Sequence, residues 1–453
     1  MLDQIIAALD GHAGVHDWTV SHRRSRSVQL YLIGRETENL RQVSTETFEV
    51  EVVNDHPAPE SGADRTSPGG AAGLARGVAS LKLVPADRDR LQQRLDDAVL
   101  MAQLVHNPPY PLASPGVYPD VPLADPQLAT LPGATAAAQS FAAQLLELVE
   151  QEPGVRLSAA ELFLTRTEVE LRNSRGIRVG AETTGVLAEL VLLASGDGAE
   201  EAEHFRQLEG RRLEDLHLPQ VVAEAATFAR DTLRARPPKT HHGPVVVSGD
   251  ALIPLFEPFV YQAGASAAYL KLSRFEPDQD IYGGRDVTGD RLTLRGNALR
   301  AFGLRSHRFS ADGIPGQDTL LIEHGILRAR HASQRYAHYL GIPATGEPGN
   351  TEVECGQSPL ADLLGDGDDQ PLYQVVGFSA PDVDPITGDF GSEIRLGYEI
   401  TPQGRRPIKG GSVGGNVFEA FAGARFSRER LERGEYAGPQ AVRFSALRIS
   451  GDS

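Results

Sequence analysis

Thirteen histidines are the first place to look for metal chemistry. Catalytic zinc takes about three protein ligands and a water, so useful histidines come in spaced sets. His241-His242 follows Pro237-Pro238-Lys239 and reads as a pair of solvated linker residues. His324 is expected at a hairpin tip. His331 and His338 are seven residues apart and share a face if that segment is helical. With an acidic residue they could build an unrecognised metal site, but no third ligand lies nearby in sequence. No HExxH, C-x-x-C or EF-hand loop occurs. Asp362, Asp366, Asp368 and Asp369 cluster without the calcium loop's spacing, and Asp382, Asp384 and Asp389 flank a Pro/Gly turn. Both groups read as solvated loops. Cys355 is the sole thiol and reads as inert, and no G-x-S-x-G elbow is present. In Lys409–Asn416 (KGGSVGGN) the pair Gly414-Gly415 before Asn416 lacks the Lys-Ser/Thr of a P-loop. Its glycines suit close backbone approach. Taken alone, the residues assemble no complete active site.

The elements that must position these residues fall into two textures. Leu2, Ile5, Ile6 and Leu9 have helical spacing, so residues 1–13 are predicted helical. Strands are predicted at Val28–Ile33 and Thr47–Val53; the second sets Phe48, Val50 and Val52 on one face and Glu49 and Glu51 on the other. Residues 54–75 read as a polar, mobile Gly/Pro-rich loop. Helices are predicted at Asp87–His106 and Ala134–Glu152, on either side of a connector, 107–133, with eight prolines. Strands 157–171 and 185–195 flank the turn Asn173-Ser174-Arg175-Gly176. A helix over 218–236 stops at Pro237-Pro238. Beyond it short β runs alternate with turns: Gly313 and Pro315, the hairpin Thr319–Glu323/Ile326–Arg330 through His324-Gly325, and a strand Glu393–Ile400 between turns at Thr387-Gly388 and Gly404. The expected fold class is α+β. A sheet-plus-long-helices region over 1–238 precedes a β-rich domain of antiparallel sheet or barrel type over 239–453.

Composition narrows the function classes. The 453 residues are 40% apolar and 23% charged, ordinary for globular domains. A net charge of −17 disfavours a general phosphate-binding surface, so no nucleic-acid partner is expected. No apolar run approaches the length of a membrane helix, and the acidic N-terminal stretch is unlike a signal peptide. One cysteine permits no internal disulfide. A cytoplasmic location without membrane partners is the expectation.

Five ordered motifs carry a resemblance to the TldD/PmbA family of metallopeptidase subunits, in which PmbA is also called TldE. They are the Asn173–Gly176 turn; the lead-in strand Pro244–Val247; Asp312-Gly313-Ile314-Pro315 followed by Leu321–Leu327; Asp384–Phe390 followed by Gly397-Tyr398; and the approach Ile408–Asn416 to a Gly-Asn pair. The first 130 residues match the family only in general pattern.

The resemblance implies a two-subunit protease. Its TldD-type subunit carries His-Glu-x-x-x-His after the lead-in strand, and a downstream cysteine completes a zinc site. Here the same stretch reads Phe256-Glu257-Pro258-Phe259-Val260-Tyr261, and no cysteine follows Asn416. The motif is degenerate at Phe256 and Tyr261, although Glu257 keeps the general-base position. A register shifted by one residue brings in no histidine either. The chain therefore resembles the TldE type, with no catalytic or metal-binding residues of its own and zinc expected in the partner. The resemblance implies a heterodimer with a TldD-like zinc subunit, or self-pairing, around a cavity for unfolded peptides held by strand addition. Phe256, Tyr261, Tyr336, Gly414, Gly415 and Asn416 are its expected substrate-wall residues. The alternatives are a stand-alone homodimeric peptide-binding scaffold, or a metallopeptidase with the unrecognised metal site named above.

Overall fold

The computed structural model describes residues 1–58, 73–196, 200–365 and 371–451. Helix α1 (Leu2–Asp10) leads into strands β1 (Asp17–Ile33), β2 (Glu36–Pro57) and β3 (Leu74–Leu83). Helices α2 (Leu91–Ala102) and α3 (Leu131–Glu150) follow, then β4 (Val155–Asn173), β5 (Arg178–Ser195), β6 (Glu201–Gly210) and α4 (Leu218–Arg234). The six strands form one antiparallel sheet in the order β3-β2-β1-β4-β5-β6.

Period-two alternation sorts this sheet into two unlike faces. Trp18, Val20, Phe48, Val50 and Val52 are buried beneath α1 and α2. Val28, Leu30, Leu162, Leu164, Ala188 and Leu190 are buried beneath α3 and α4. The intervening residues, among them Thr19, Ser21, Glu51, Thr165 and Thr167, point the other way, toward the C-terminal half.

Several expected boundaries are corrected. β1 and β2 extend well beyond 28–33 and 47–53, and β3 and β6 were not foreseen. Much of the expected loop 54–75 lies outside the described residues. Its ends are strand, with Asn54 opposite Gly77 and Pro57 opposite Leu74. The expected helix 87–106 begins as a 3-10 turn over Pro85–Arg90, and α3 starts inside the expected connector.

The C-terminal half continues with β7 (His241–Ser248), α5 (Glu257–Gln262), α6 (Ala265–Tyr269), β8 (Leu294–Asn297), β9 (Asp318–Glu323), β10 (Ile326–Leu327), α7 (Gln334–Leu340), β11 (Asn350–Val353) and α8 (Leu360–Leu364). Then come β12 (Leu372–Phe378), β13 (Asp382–Val383), β14 (Asp389–Thr401), β15 (Gly404–Ile408), β16 (Ser412–Asn416), α9 (Val417–Ala420), β17 (Arg425–Phe426), β18 (Arg430–Arg433), β19 (Tyr436–Pro439) and β20 (Ala441–Ser450). Strands β12, β7, β20, β16 and β14 pair in sequence, and β14 pairs back to β12, closing a barrel. Closure removes the free sheet edges that an open sheet would leave. Its filling includes Val245, Val247, Tyr373, Val375, Ile394 and Phe444. A mixed sheet, β10-β9-β8-β11-β19-β18, packs against the same core. His241-His242 is not linker: it opens β7, and the His241 ring lies 5.0 Å from Tyr373. The hairpin tip at His324 is as expected, with φ of 46° there and 78° at Gly325.

The proline-rich connector laces the two halves together. Tyr339 Oη donates to the Pro108 carbonyl at 2.6 Å, Tyr118 Oη to Gly313 at 3.0 Å, and Arg308 Nε to Pro119 at 3.0 Å. The Asn173–Gly176 turn fastens it from the other side. Asn173 is buried, donates through Nδ2 to the Ala113 carbonyl at 2.8 Å, and accepts the N–H groups of Arg175 and Ile177. Gly176 has φ of 91°, the left-handed backbone that glycine adopts without strain.

Candidate functional site

The polar face of the N-terminal sheet and the C-terminal half enclose a cavity of about 1460 Å³. One wall is β1 to β5, through Thr19, Glu51, Ser80, Thr167 and Thr183. The connector adds Tyr110 and Leu112. The opposite wall is the run Leu304–Asp312, with Glu257, Val260 and Tyr261 of α5, and His331, Arg335, Glu347 and Glu435. Arg211 holds the first part of that run. Its guanidinium donates to the carbonyls of Thr184, Gly303, Leu304 and Ser306, and burial pulls its pKa down to about 10.

Carboxyl groups dominate the electrostatics. Burial raises the pKa of Glu51, the charge of Asp312 raises it further, and Arg335 opposes both. Burial likewise raises Asp312; the N–H of Gln334, 2.8 Å from Oδ2, works against it and Glu347 works with it. Glu257 is raised by burial and then by Glu435. The His331 imidazole is lowered by burial, against the Val260 carbonyl 3.0 Å from its Nε2. At neutral pH that ring is uncharged.

The expected site residues divide sharply. Glu257 and Tyr261 do line this cavity. Phe256 does not: it is 1% exposed and stacks on Tyr436 at 5.6 Å, with Phe421 at 5.4 Å and Phe426 at 6.3 Å. The reason is helical geometry. Phe256 and Phe259 turn into the barrel-side core, while Glu257 and Tyr261, four apart, share the opposite face. Tyr336 does not line the cavity either. It buttresses it, in an aromatic group with Tyr269 and Tyr339 against the Arg335 guanidinium, 5.2 Å from the Tyr336 ring.

Gly414, Gly415 and Asn416 lie elsewhere. They are strand β16, not a turn at this cavity, and they border a smaller hollow with His242, Glu419, Ser445 and Arg448. Asn416 caps α9 through the N–H groups of Phe418 and Glu419 and ties back to Asp389 at 2.8 Å. Asp384 accepts the N–H groups of Ile386 and Thr387 within its own turn.

The residues here do not fit a catalytic zinc. At the expected position Phe256 and Tyr261 offer no imidazole. His331 precedes α7, so it shares no helix face with His338, which is exposed. Among the described residues, no group of three or more His, Cys, Asp or Glu is placed to hold a metal. Asp366, Asp368 and Asp369 lie outside the described residues. Burial raises the Cys355 thiol, which disfavours the reactive thiolate.

Residues 240–451 match the family model of the PmbA/TldA metallopeptidase C-terminal domain. The C-terminal half of the chain belongs to the PmbA/TldD family. The crystal structure of TldE from Thermococcus kodakarensis superposes with a TM-score of 0.78 at 17% identity, covering 100% of both chains. That likeness extends the PmbA/TldD fold over the N-terminal sheet as well. An uncharacterised protein of Methanocaldococcus jannaschii is 24% identical over 284 residues, 60% of this chain and 64% of that protein. Metalloprotease PmbA of Escherichia coli is 28% identical over 180 residues, 39% and 38% of the two chains. The chain thus spans less than two thirds of the length of either curated relative. No helix among the described residues is long and apolar enough to cross a membrane.

Among the cavity groups without a sequence signal are Glu51, Tyr110 and Arg335. Glu51 falls on a strand's polar face, and polar faces ordinarily meet water. The only sequence signal for Asp312 was its place in a family-like motif.

Proposed function

We propose that this chain is a TldE-like, metal-free subunit that holds unfolded peptides for hydrolysis or maturation by a zinc-bearing TldD-like partner. One observation carries the reading. The α5 face that the resemblance assigns to zinc chemistry meets a large peptide-sized cavity, yet it presents Glu257 and Tyr261 with no ligand set. Such a face can hydrogen-bond a chain, but it lacks the three donors that activate a zinc-bound water. Holding an extended peptide in place supplies orientation, which lowers the barrier for a reaction centre on a partner. Arg76 of β3 pairs with Asn107 on its outer side, and the edge beyond that bridge suits strand addition. That strand ends the sheet, and its Val78, Ser80 and Lys82 line the cavity.

The test is the zinc content of the purified chain, followed by peptide hydrolysis with and without an HExxxH-bearing homologue. Well under one zinc per chain, no hydrolysis alone and hydrolysis on mixing are expected. Tightly held zinc near one per chain would overturn the reading.

A further inference from the structure

At one end of the cavity the sheet face carries Glu51, in register with Thr19 on β1 and Ser80 on β3. Asp312 joins it from the C-terminal half, and both carboxylates line the cavity. Neither forms an ion pair within 4.0 Å among the described residues. Arg335, whose charge opposes the rise at Glu51, is the cation already present there: its Nη2 donates to Asn107 Oδ1 at 2.7 Å, its Nε has no partner among the described residues, and its guanidinium lies against the rings of Tyr110, Tyr336 and Tyr339. Glu347, which lines the same cavity, adds a further negative charge that acts on Asp312. A second observation is independent of the acids. Tyr110 is 8% exposed and lines the same cavity, yet its hydroxyl has no hydrogen-bond partner among the described residues. The ring is held in the wall while the hydroxyl is left open to the cavity, free to accept a hydrogen bond from a bound group.

Resting on the reading of the cavity as a peptide site, we propose that Glu51, Asp312 and Tyr110 form a subsite for a cationic group of the bound peptide. The chemistry is that of an alkylammonium or guanidinium, whether from a basic side chain or from a free amino terminus. Its N–H groups donate to the two carboxylates and to the phenolic oxygen, in charge-assisted bonds. Burial has raised both carboxyls, Arg335 alone opposes the rise at Glu51 while Glu347 adds to it at Asp312, and a ligand cation supplies further countercharge. A calcium ion, which takes six to eight oxygen ligands, is poorly served by two carboxylates.

The full chain can be tested by fluorescence anisotropy with three extended octapeptides that differ in one feature each. The first is acetylated with a central lysine, the second acetylated with norleucine there, and the third carries norleucine and a free amino terminus. At least one cationic peptide should bind about tenfold tighter than the neutral one, and which one does so tells side chain from terminus. The double variant Glu51→Gln/Asp312→Asn should abolish the difference. Equal binding of all three, or a preference that survives in the double variant, would overturn the subsite while leaving the peptide reading intact. A titration with n-butylammonium probes the subsite without any peptide. It should raise the melting temperature of the wild type and not of the double variant, by mass action. No rise in the wild type overturns the subsite. A rise without binding of any peptide overturns the peptide reading instead.

Discussion

Replacing Phe256 with alanine separates a core residue from a cavity-wall residue. Its ring is fully enclosed, stacked on Tyr436 and met edge-on by Phe421 and Phe426. Removing a buried phenylalanine ring costs about 3–5 kcal/mol, the transfer loss plus the void left behind. The neighbours here are stiff aromatic rings inside a close-packed core, which relax poorly, so the upper half of that range is expected. For a domain of this size each kcal/mol is worth about 2–4 °C in melting temperature. Phe256→Ala should therefore lower the melting point by about 8–20 °C. Tyr261→Ala is the contrast. Tyr261 lines the cavity and is only partly buried, so its loss should cost about 1 kcal/mol or less and instead weaken binding of a neutral extended peptide. Calorimetric melting and peptide anisotropy on both variants make the comparison. A Phe256→Ala protein that melts within about 2 °C of wild type but binds peptide poorly would refute the packing argument and restore the residue to the wall.

Glu51→Gln should stabilise the protein at neutral pH. Its folded pKa is raised above the ordinary carboxyl value, so the folded state binds protons more readily than the unfolded one, and stability falls as pH rises from the ordinary carboxyl range through the raised folded pKa. Denaturant midpoints measured from pH 4 to pH 8 should show a downward slope in wild type that the variant flattens. Asn173→Ala removes the hydrogen bond that joins the β4–β5 turn to the connector and two more within the turn, and should cost about 1–3 kcal/mol with faster proteolysis between residues 107 and 125. Gly388→Ala places a Cβ 2.3 Å from the Phe418 ring at φ of 81°, and should lower the melting temperature by more than an ordinary surface substitution.

Local signals in the sequence proved legible where one residue type has one physical reason to be there. The alternation of Phe48, Val50 and Val52 marks a buried strand face, and the Asn173–Gly176 and His324-Gly325 turns needed only their left-handed positions. Polar strands were harder. Arg23, Arg24 and Arg26 carry no apolar pattern, yet they extend β1, because pairing with β2 and β4 satisfies their backbone groups. β6 (EAEHFRQLEG) is an acidic edge strand with little apolar content. Barrel closure depends on β14 meeting both β12 and β16, a nonlocal fact that no window of sequence contains. The cavity escaped for the same reason. Glu49 and Glu51 read as a solvent face, because nothing local says that a second domain covers it.

That covering also bears on the proposal that the helix at Glu257–Gln262 serves as a wall and not as a metal centre. A catalytic zinc needs imidazoles that reach an open, watered site while their other nitrogens are held by hydrogen bonds. At position 256 a side chain points into packed aromatic rings, away from the cavity. A histidine introduced there would bury a polar ring without a partner, which costs free energy and supplies no ligand to the cavity. Position 261 faces the cavity, but with a phenol, beside a carboxyl that burial and Glu435 hold toward its neutral form. In the proposed peptide site, Glu257 and the Tyr261 hydroxyl can hydrogen-bond a peptide backbone of any sequence. On that reading selectivity comes from elsewhere in the cavity, and the carboxyl groups of Glu51 and Asp312, which form no close ion pair, are the proposed place for it.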